Sequence, residues 1–458
     1  MLIFALLFCA GFAALAWRRL EWAVLALAFL LPAYLVRFSL VGVPLTLLEA
    51  MILIVFAVWF VRNVKSLRSG GARKVYPFRR AIIAWLLVSF AAVGVGGWTL
   101  NAFGVWRAYF FEPLLLFIVV VSVFNTREKL NHLFAALGLS AAVVALFAAY
   151  QYLTGNLIPN PTWAAAAGRR ATSFFPYPNA VGLYAAPIML ILLGALAAAW
   201  ARTKHFFTLQ TWPWLVGIIF CLGAIVMARS EGAAFAAVVC FTIFGLFANR
   251  RLRIITLGLI IVGGMVLIMS APLRTYVMKS VTLQNFSGQV RRVQWKETLI
   301  MLRDGRELRG AGLANYQAAV KPYHQEGLFV KNDDPDFQRK VMFDADYRKQ
   351  VWQPLEIYLY PHNIILNFWS ELGAAGVIVF FWLIVLFFYY GIASFWTVAR
   401  RHDPFAYAIL GLTLALVATS IHGLVDVPYF KNDLAALFWI MMAAMAIIRV
   451  RSISETKV

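Results

Sequence analysis

The chain has 458 residues, of which 62% are hydrophobic and 13% charged, and its formal net charge is +21. Soluble globular proteins are roughly 45–50% apolar and about 25% charged, so this composition excludes a soluble domain, a disordered chain and a collagen-like scaffold. The three cysteines, Cys9, Cys221 and Cys240, lie inside apolar runs and have neither disulfide nor zinc-site spacing. The sequence therefore predicts an all-α polytopic membrane protein.

Thirteen apolar stretches follow one another, at residues 2–16, 20–36, 44–61, 81–97, 108–124, 131–153, 179–200, 212–228, 233–248, 253–271, 364–393, 405–421 and 434–449. A helix needs about 20 residues to cross the hydrocarbon core, and the first stretch is shorter. We therefore predict a bundle of about twelve transmembrane helices, or thirteen at most. Three parts are expected: N-terminal helices (1–271), a large polar loop (272–361), and C-terminal helices with a tail (362–458).

The basic residues are divided unevenly between the two sides of this predicted bundle. One set of alternate connections, which includes 62–80 and the C-terminal tail, carries 21 Lys and Arg, whereas the short connections on the other side carry six. The positive-inside rule places the first set in the cytoplasm and the large loop on the outer side. The charge excess is thus mostly a topology signal, and nucleic acid is not expected as a partner.

The segment 272–361 is much longer than an ordinary connection, and long ordered loops usually carry function. Its first half, from 289 to 309, is predicted to be helical, because four side chains share one stripe at helical spacing: Arg291, Trp295, Leu299 and Leu302. Gly310 and Gly312 are expected to end this helix. The polar stretch 331–349 fits either a mobile cap or a short helix.

The most informative motif is Tyr360-Pro361-His362-Asn363, where the loop re-enters the membrane. If Pro361 is the first helical residue, His362 lies in the first turn, where the helix dipole disfavours imidazolium and keeps a neutral base available. An interfacial residue that only anchors the helix would fit equally well. Glu371 follows nine residues later on the opposite helix face and is not expected to orient His362.

Arginines form a second set of candidates on the outer side. Paired guanidinium donors suit phosphate or pyrophosphate, whereas the alternative is contact with lipid headgroups or pairing with Glu231 and the loop acids. The set comprises two arginines before the turn that ends at Asn179, one arginine in the Arg-Ser-Glu-Gly sequence, and two at the start of the loop helix: Arg169, Arg170, Arg229, Arg291 and Arg292.

Carboxylates provide weaker candidates. His422 and Asp426 are four residues apart at an outer helix end, where an aspartate can orient a histidine. Arg107 and Glu112 are spaced to form a partly buried ion pair. An acidic cluster at Asp333, Asp334 and Asp336 offers oxygen ligands, but such spacing is common in solvated loops. We predict neither a metal site nor a cofactor.

Several motifs in this order resemble those of the O-antigen ligase and polymerase superfamily. They are the Pro178-Asn179 turn, the Arg291-x-x-x-Trp295 start of the loop helix, the Gly310-Ala-Gly312-Leu-Ala-Asn315-Tyr316 sequence, and His362-Asn363 followed after nine residues by Gly373-x-x-Gly376. Segment count, loop position and motif order agree over most of the chain.

The resemblance implies a C-type glycosyltransferase-like bundle in the bacterial inner membrane, with its active site facing the periplasm. Members of the superfamily move a glycan from undecaprenyl pyrophosphate to a sugar hydroxyl without a metal. In the ligases the acceptor is the lipid A core, and in the polymerases it is another lipid-linked glycan. Both substrates and the surrounding membrane lipids are therefore the expected partners.

By the same resemblance, His362 corresponds to the catalytic histidine, Arg291 to a donor-phosphate arginine and Arg170 to a second one. Because each arginine is doubled, Arg292 and Arg169 remain candidates, and Arg229 joins them. The supporting residues are Asn363, Trp295, Asn179, His422 and Asp426. A ligase is our first choice, a polymerase the alternative and a transporter of polyprenyl-linked glycans a lower one, while a scaffold would not need the His-Asn motif.

Overall fold

The computed structural model of the protein describes residues 2–40, 42–68, 77–205, 207–332 and 334–454. Its helices before the large loop are α1 (Leu2–Arg18), α2 (Leu20–Phe29), α3 (Leu47–Arg68), α4 (Arg79–Val95), α5 (Leu100–Trp106), α6 (Glu112–Val123), α7 (Arg127–Thr154), α8 (Pro161–Ala164), α9 (Pro178–Thr203), α10 (Trp212–Ala228), α11 (Glu231–Ala248) and α12 (Arg250–Met269). The loop contains α13 (Ala271–Val281), α14 (Phe286–Arg303), α15 (Tyr316–Val320), α16 (Phe337–Phe343) and α17 (Ala345–Val351). The chain continues with α18 (Ile364–Ala399), α19 (Phe405–Gly423) and α20 (Asn432–Ser454). The described residues also form two antiparallel pairs of strands, β1 (Arg37–Leu40) with β2 (Val43–Thr46), and β3 (Gly327–Phe329) with β4 (Trp352–Pro354).

Each of the thirteen apolar stretches coincides with a helix. Within the described ranges, nine helical segments are long and apolar enough to cross a membrane, while α1, α2 and α10 are apolar but shorter. The chain is therefore a polytopic helical membrane protein. The number of twelve or thirteen spans, and the division at residues 271 and 361, stay predictions.

Two of the stretches deviate from a regular α-helix. The second stretch was expected to be helical to residue 36, but α2 ends at Phe29 and a 3₁₀-turn from Leu31 to Leu35 follows, because Pro32 has no N–H to continue the α-helix. Between α5 and α6, residues 107–111 form a π-turn. The predicted pair at this turn is confirmed, since Arg107 Nε lies 3.1 Å from Glu112 Oε1.

Helix α9 forms the centre of the bundle and packs against α7, α10, α11 and α19. Its tightest approach is to α19, where a Cβ on Gly194 would come within 2.9 Å of the Gly411 Cα. Small residues permit such contact between helix backbones, which is a common way to pack helices in lipid. The close approach fixes α19, whose outer end carries His422.

Ionic contacts join the connections that the charge pattern assigns to one side of the membrane. Lys129 Nζ lies 2.6 Å from Glu21, and Arg127 lies 2.5 Å from Asp403. These contacts are therefore consistent with the prediction that alternate connections lie on the same side of the membrane. The predicted cytoplasmic loop at 62–80 lies partly outside the described residues, as does the end of the tail.

The large loop is more ordered than the sequence suggested. Helix α14 ends at Arg303, so the prediction that it reaches residue 309 and is ended by Gly310 is wrong. The chain turns instead at Asp304 and at Gly305, which has a φ of +73°, a conformation that glycine adopts without steric cost. The stretch 331–349 contains most of the two short helices α16 and α17.

Helix α18 is broken at Gly373, where φ is +72° and ψ is −173°. A break leaves backbone groups without helical partners, and the loop supplies them: Ala374 N donates to Leu308 O at 3.0 Å, and Ala311 N donates to Ser370 O at 2.6 Å. A Cβ on Gly373 would lie 2.2 Å from Leu308 O. Gly373 therefore lets the loop enter the helix, because a side chain at this position would collide with the loop backbone.

Candidate functional site

A cavity of about 400 Å³ opens where the outer ends of α10, α11 and α19 meet α13 and α14. Its wall contains both basic and apolar side chains. The predicted residues that line it are Arg170, Asn179, Arg229, Arg291, Trp295 and His422. The fold thus brings together candidates that are up to 252 positions apart in the sequence.

Arg170 is held at this cavity by hydrogen bonds on both edges of its guanidinium group. Nε donates to Ala228 O at 3.1 Å, and Nη2 donates to Asn179 Oδ1 at 3.0 Å. Burial lowers the pKa of Arg170 below its ordinary value, although an arginine remains cationic at neutral pH. The structure therefore presents a fixed and partly desolvated cation.

Arg229 and Arg291 contribute two further cations to the wall. Arg229 follows α10 in a left-handed conformation with a φ of +48°. Arg291 Nε donates to Val425 O at 2.7 Å, and no other hydrogen bond of this side chain is found in the described part of the chain. Its terminal nitrogens can therefore bind a ligand, and three arginines together suit an anion of several charges.

Glu231 is the one acidic residue on the wall, and it does not pair with the arginines. Its Oε1 accepts from Tyr276 Oη at 3.1 Å, and its Oε2 accepts from Asn285 Nδ2 at 3.1 Å. Asn285 also caps α14 by accepting from Gly288 N at 2.8 Å. Glu231 thus connects α11 to α13 and to the start of the helix that carries Arg291.

His362 lies just outside α18, with a φ of +45°. The helix is capped by Asn363, whose Oδ1 accepts from Ile365 N and Leu366 N, each at 3.0 Å. The prediction that Pro361 starts the helix and that His362 sits in its first turn is therefore wrong, and the argument from the helix dipole does not apply. Because Asn363 is the cap residue of α18, His362 directly before it lies outside the helix.

Asp426 is the carboxylate that faces this histidine. It is fully buried, and its Oδ1 lies 3.6 Å from His362 Nδ1. Burial by itself raises the pKa of Asp426, but the neighbouring His362, His422 and Arg291 hold it well below the ordinary range of a carboxyl group. An ionised aspartate at this position can orient the imidazole and stabilise its protonated form.

The sequence pattern had paired Asp426 with His422, which the structure does not show. His422 is buried on the cavity wall, and its Nδ1 has no hydrogen-bond partner among the described residues. Helix α19 ends at Gly423, so Asp426 lies beyond the last turn and the i, i+4 spacing of a helix does not apply to this pair. Tertiary packing therefore decides which histidine the aspartate contacts.

Asn179 connects the arginine cavity to the histidine. Its Oδ1 accepts from Arg170, and its Nδ2 donates to Asp426 Oδ2 at 3.4 Å. His362 is not part of the cavity wall, and its side chain is 21% exposed. The arrangement is thus an arginine-lined cavity beside a histidine that faces a carboxylate, and Asn179 lies between the two.

The structure separates the members of each arginine pair. Arg169 donates from Nε to Ala164 O at 3.1 Å and from Nη1 to Tyr152 O at 2.7 Å, away from the cavity wall. Arg292 faces a second cavity on the other side of Trp295. Arg170 and Arg291 are therefore the members of their pairs that reach the first cavity.

A family model described as O-antigen ligase matches residues 216–381 of the chain. This match supports the resemblance of the chain to the O-antigen ligase superfamily over this segment. No curated protein matches the sequence. The family identification predicted from the motifs is confirmed.

The O-antigen ligase segment includes some of the candidate residues and leaves others outside. Six candidates lie inside the matched range: Arg229, Arg291, Arg292, Trp295, His362 and Asn363. Five lie outside it: Arg169, Arg170, Asn179, His422 and Asp426. The contacts across this boundary, such as that between Asp426 and His362, come from the fold.

Sequence reasoning missed a buried polar group beside the histidine. Lys431 Nζ lies 4.7 Å from the ring centre of Phe175 and 5.4 Å from that of Tyr177, and 4.0 Å from Asp433 Oδ1. Tyr177 Oη is 3.1 Å from Tyr360 Oη, and the Tyr360 ring contacts His362. The signal for it in the sequence was a lysine and an aspartate, Lys431 and Asp433, at the start of an apolar helix.

Among the described residues, no group of three His, Cys, Asp or Glu side chains is placed to hold a metal ion. Asp334 accepts from Lys340 Nζ at 2.7 Å and from Asp336 N at 2.9 Å. Asp333 lies outside the described residues. The expectation that the reaction needs no metal remains a prediction.

Proposed function

We propose that the protein is an O-antigen ligase that transfers a glycan from undecaprenyl pyrophosphate to a sugar hydroxyl of the lipid A core. The superfamily supports an activity of the ligase or polymerase type. The observation that carries the proposal is that an arginine-lined cavity lies beside a histidine that faces a carboxylate. Asn179 links the two, because it contacts Arg170 of the cavity and Asp426, which lies 3.6 Å from His362.

The chemistry assigned to these residues is a single displacement. The acceptor hydroxyl attacks the anomeric carbon of the donor, the bond from that carbon to the pyrophosphate oxygen breaks, and the pyrophosphate leaves with the electron pair. His362 takes the hydroxyl proton at Nε2, because Nδ1 faces Asp426. The reaction inverts the configuration at the anomeric carbon.

The three cavity arginines stabilise the charge that develops on the leaving pyrophosphate. Arg170 is already fixed by Ala228 and Asn179, and Arg291 is fixed by Val425. Preorganised donors contribute most when they need no rearrangement during the reaction. A pyrophosphate neutralised in this way leaves without a proton, so no general acid is required.

We further propose that the site faces the periplasm of a bacterial inner membrane. The support is the distribution of Lys and Arg over alternate connections, together with the ionic contacts that join predicted cytoplasmic connections to one another. The bundle is assigned a C-type glycosyltransferase-like architecture on the basis of the superfamily.

The test uses purified protein in liposomes with an undecaprenyl-pyrophosphate glycan and lipid A core, followed by mass analysis of the products. His362→Ala should abolish a core-attached glycan product. The matched control is His324→Ala, since His324 Nδ1 lies 3.5 Å from Glu297 but does not line the cavity. Longer lipid-linked chains without core product would assign a polymerase, and a lack of any His362-dependent product would overturn the transfer function.

A further inference from the structure

A second cavity, of about 530 Å³, lies along α14 on the far side of Trp295. It shares Val281, Leu283 and Trp295 with the arginine cavity, so the two are neighbours. Nothing in the proposed mechanism uses it.

The floor of this second cavity is one stripe of α14. Arg292, Lys296, Leu299 and Arg303 line it at spacings of four, three and four residues, which places them on a single helix face. Arg291 precedes Arg292 by about 100° of rotation around the helix. The doubled arginines therefore supply one cation to each cavity.

The charge on this stripe is not compensated within the described part of the chain. Arg292, Lys296 and Arg303 are exposed, they make no hydrogen bond or ion pair with a described residue, and no acidic residue lines the cavity. An ordinary solvated helix face carries charges of both signs. Three unpaired cations around one cavity favour an anionic ligand.

The other walls indicate what the rest of that ligand is. Leu299 and Ile300 supply apolar surface, and Ile300 is 42% exposed. The Nε1 atom of Trp295 is buried without a hydrogen-bond partner among the described residues, and an unpaired buried donor usually has a ligand or a water as its partner. An indole also packs well against a sugar ring, since its face is apolar.

We propose that this second cavity binds the anionic headgroup of the acceptor glycolipid. Arg292, Lys296 and Arg303 contact its phosphate or carboxylate groups, and Trp295 contacts a sugar ring at the boundary with the donor cavity. This inference rests on the proposed function, because it assigns a place to the second substrate of that transfer. The arginine cavity holds the donor, so an adjacent site brings the two substrates together.

The first test removes the three charges with Arg292→Gln, Lys296→Gln and Arg303→Gln together. In phosphatidylcholine proteoliposomes, we expect KM for lipid A core to rise at least tenfold, while KM for the donor and kcat at saturation change less than twofold. The matched control is Lys321→Gln, Arg339→Gln and Lys349→Gln, which removes the same charge from exposed positions of the same loop. An acceptor KM within twofold of that control would overturn the proposal.

The second test measures binding without turnover, in a His362→Ala background in phosphatidylcholine nanodiscs. Lipid A core should bind at least tenfold more weakly to the triple variant, and dephosphorylated lipid A core should bind weakly to both proteins. Displacement of lipid A core by an equal charge of phosphatidylglycerol would show a nonspecific anionic-lipid surface and overturn the assignment. Charge-dependent binding without any His362-dependent product would refute the transfer function and leave the anionic site standing.

Discussion

Replacement of Asp426 by asparagine tests the proposed general base most directly. The carboxylate and His362 Nδ1 are 3.6 Å apart, so the attraction between Asp426 and an imidazolium is about 5 kcal/mol at an effective dielectric constant of about 20. Because His362 is partly exposed, we take about half of this, or about 2.5 kcal/mol, as the stabilisation lost. Since about 1.4 kcal/mol corresponds to a factor of ten in rate, kcat should fall about 60-fold.

The assay is the initial rate of glycan transfer in liposomes at saturating donor and acceptor. Glu371→Gln provides the control, because Glu371 is also buried near the start of α18 but its Oε2 accepts from Ala314 N at 2.6 Å and does not face His362. That variant should retain kcat within threefold. If Asp426→Asn also stays within threefold of the wild type while both variants are folded, Asp426 does not orient the base.

Three further predictions follow from individual contacts. Arg291→Gln should raise the donor KM at least tenfold, because the substitution removes a charge-assisted contact worth about 1.5–3 kcal/mol. Arg292→Gln should leave the donor KM within twofold of the wild type. Equal effects of the two substitutions would contradict the separation of the two side chains. Asn285→Ala should lower the free energy of unfolding by about 1 kcal/mol through loss of the α14 cap, and Asn285→Ser should restore it, as measured by thermal unfolding in detergent. Lys431→Met should lower the free energy of unfolding by about 3 kcal/mol, because it leaves the buried Asp433 uncompensated. Adding Asp433→Asn should recover most of that loss. A double variant no more stable than Lys431→Met alone would show that the two residues are not coupled.

The sequence predicted the membrane class and the positions of the helices well. Apolar stretches of sufficient length have few alternatives to a helix in lipid, because each backbone N–H and C=O must find a partner within its own segment. The same rule does not predict where a helix is interrupted. The break at Gly373 depends on Leu308 and Ala311 supplying hydrogen bonds from a distant loop, which no local pattern contains.

The candidate site shows the same division between local and tertiary information. Residue types and motif order identified His362, Arg291 and Asp426 as candidates, since chemistry limits which side chains can bind phosphate or accept a proton. The sequence could not show that Asp426 faces His362 and not His422, nor that Asn179 lies between the aspartate and Arg170.

Local sequence determined the helices, the basic residues of each connection and the set of reactive side chains. Only the tertiary structure decided which of them meet, because helical periodicity fixes directions within one helix but not the packing of one helix end against another. The capping of α18 by Asn363 illustrates the point: one short hydrogen-bonding motif places His362 outside the helix, and the segment that follows α19 then supplies the carboxylate that faces it.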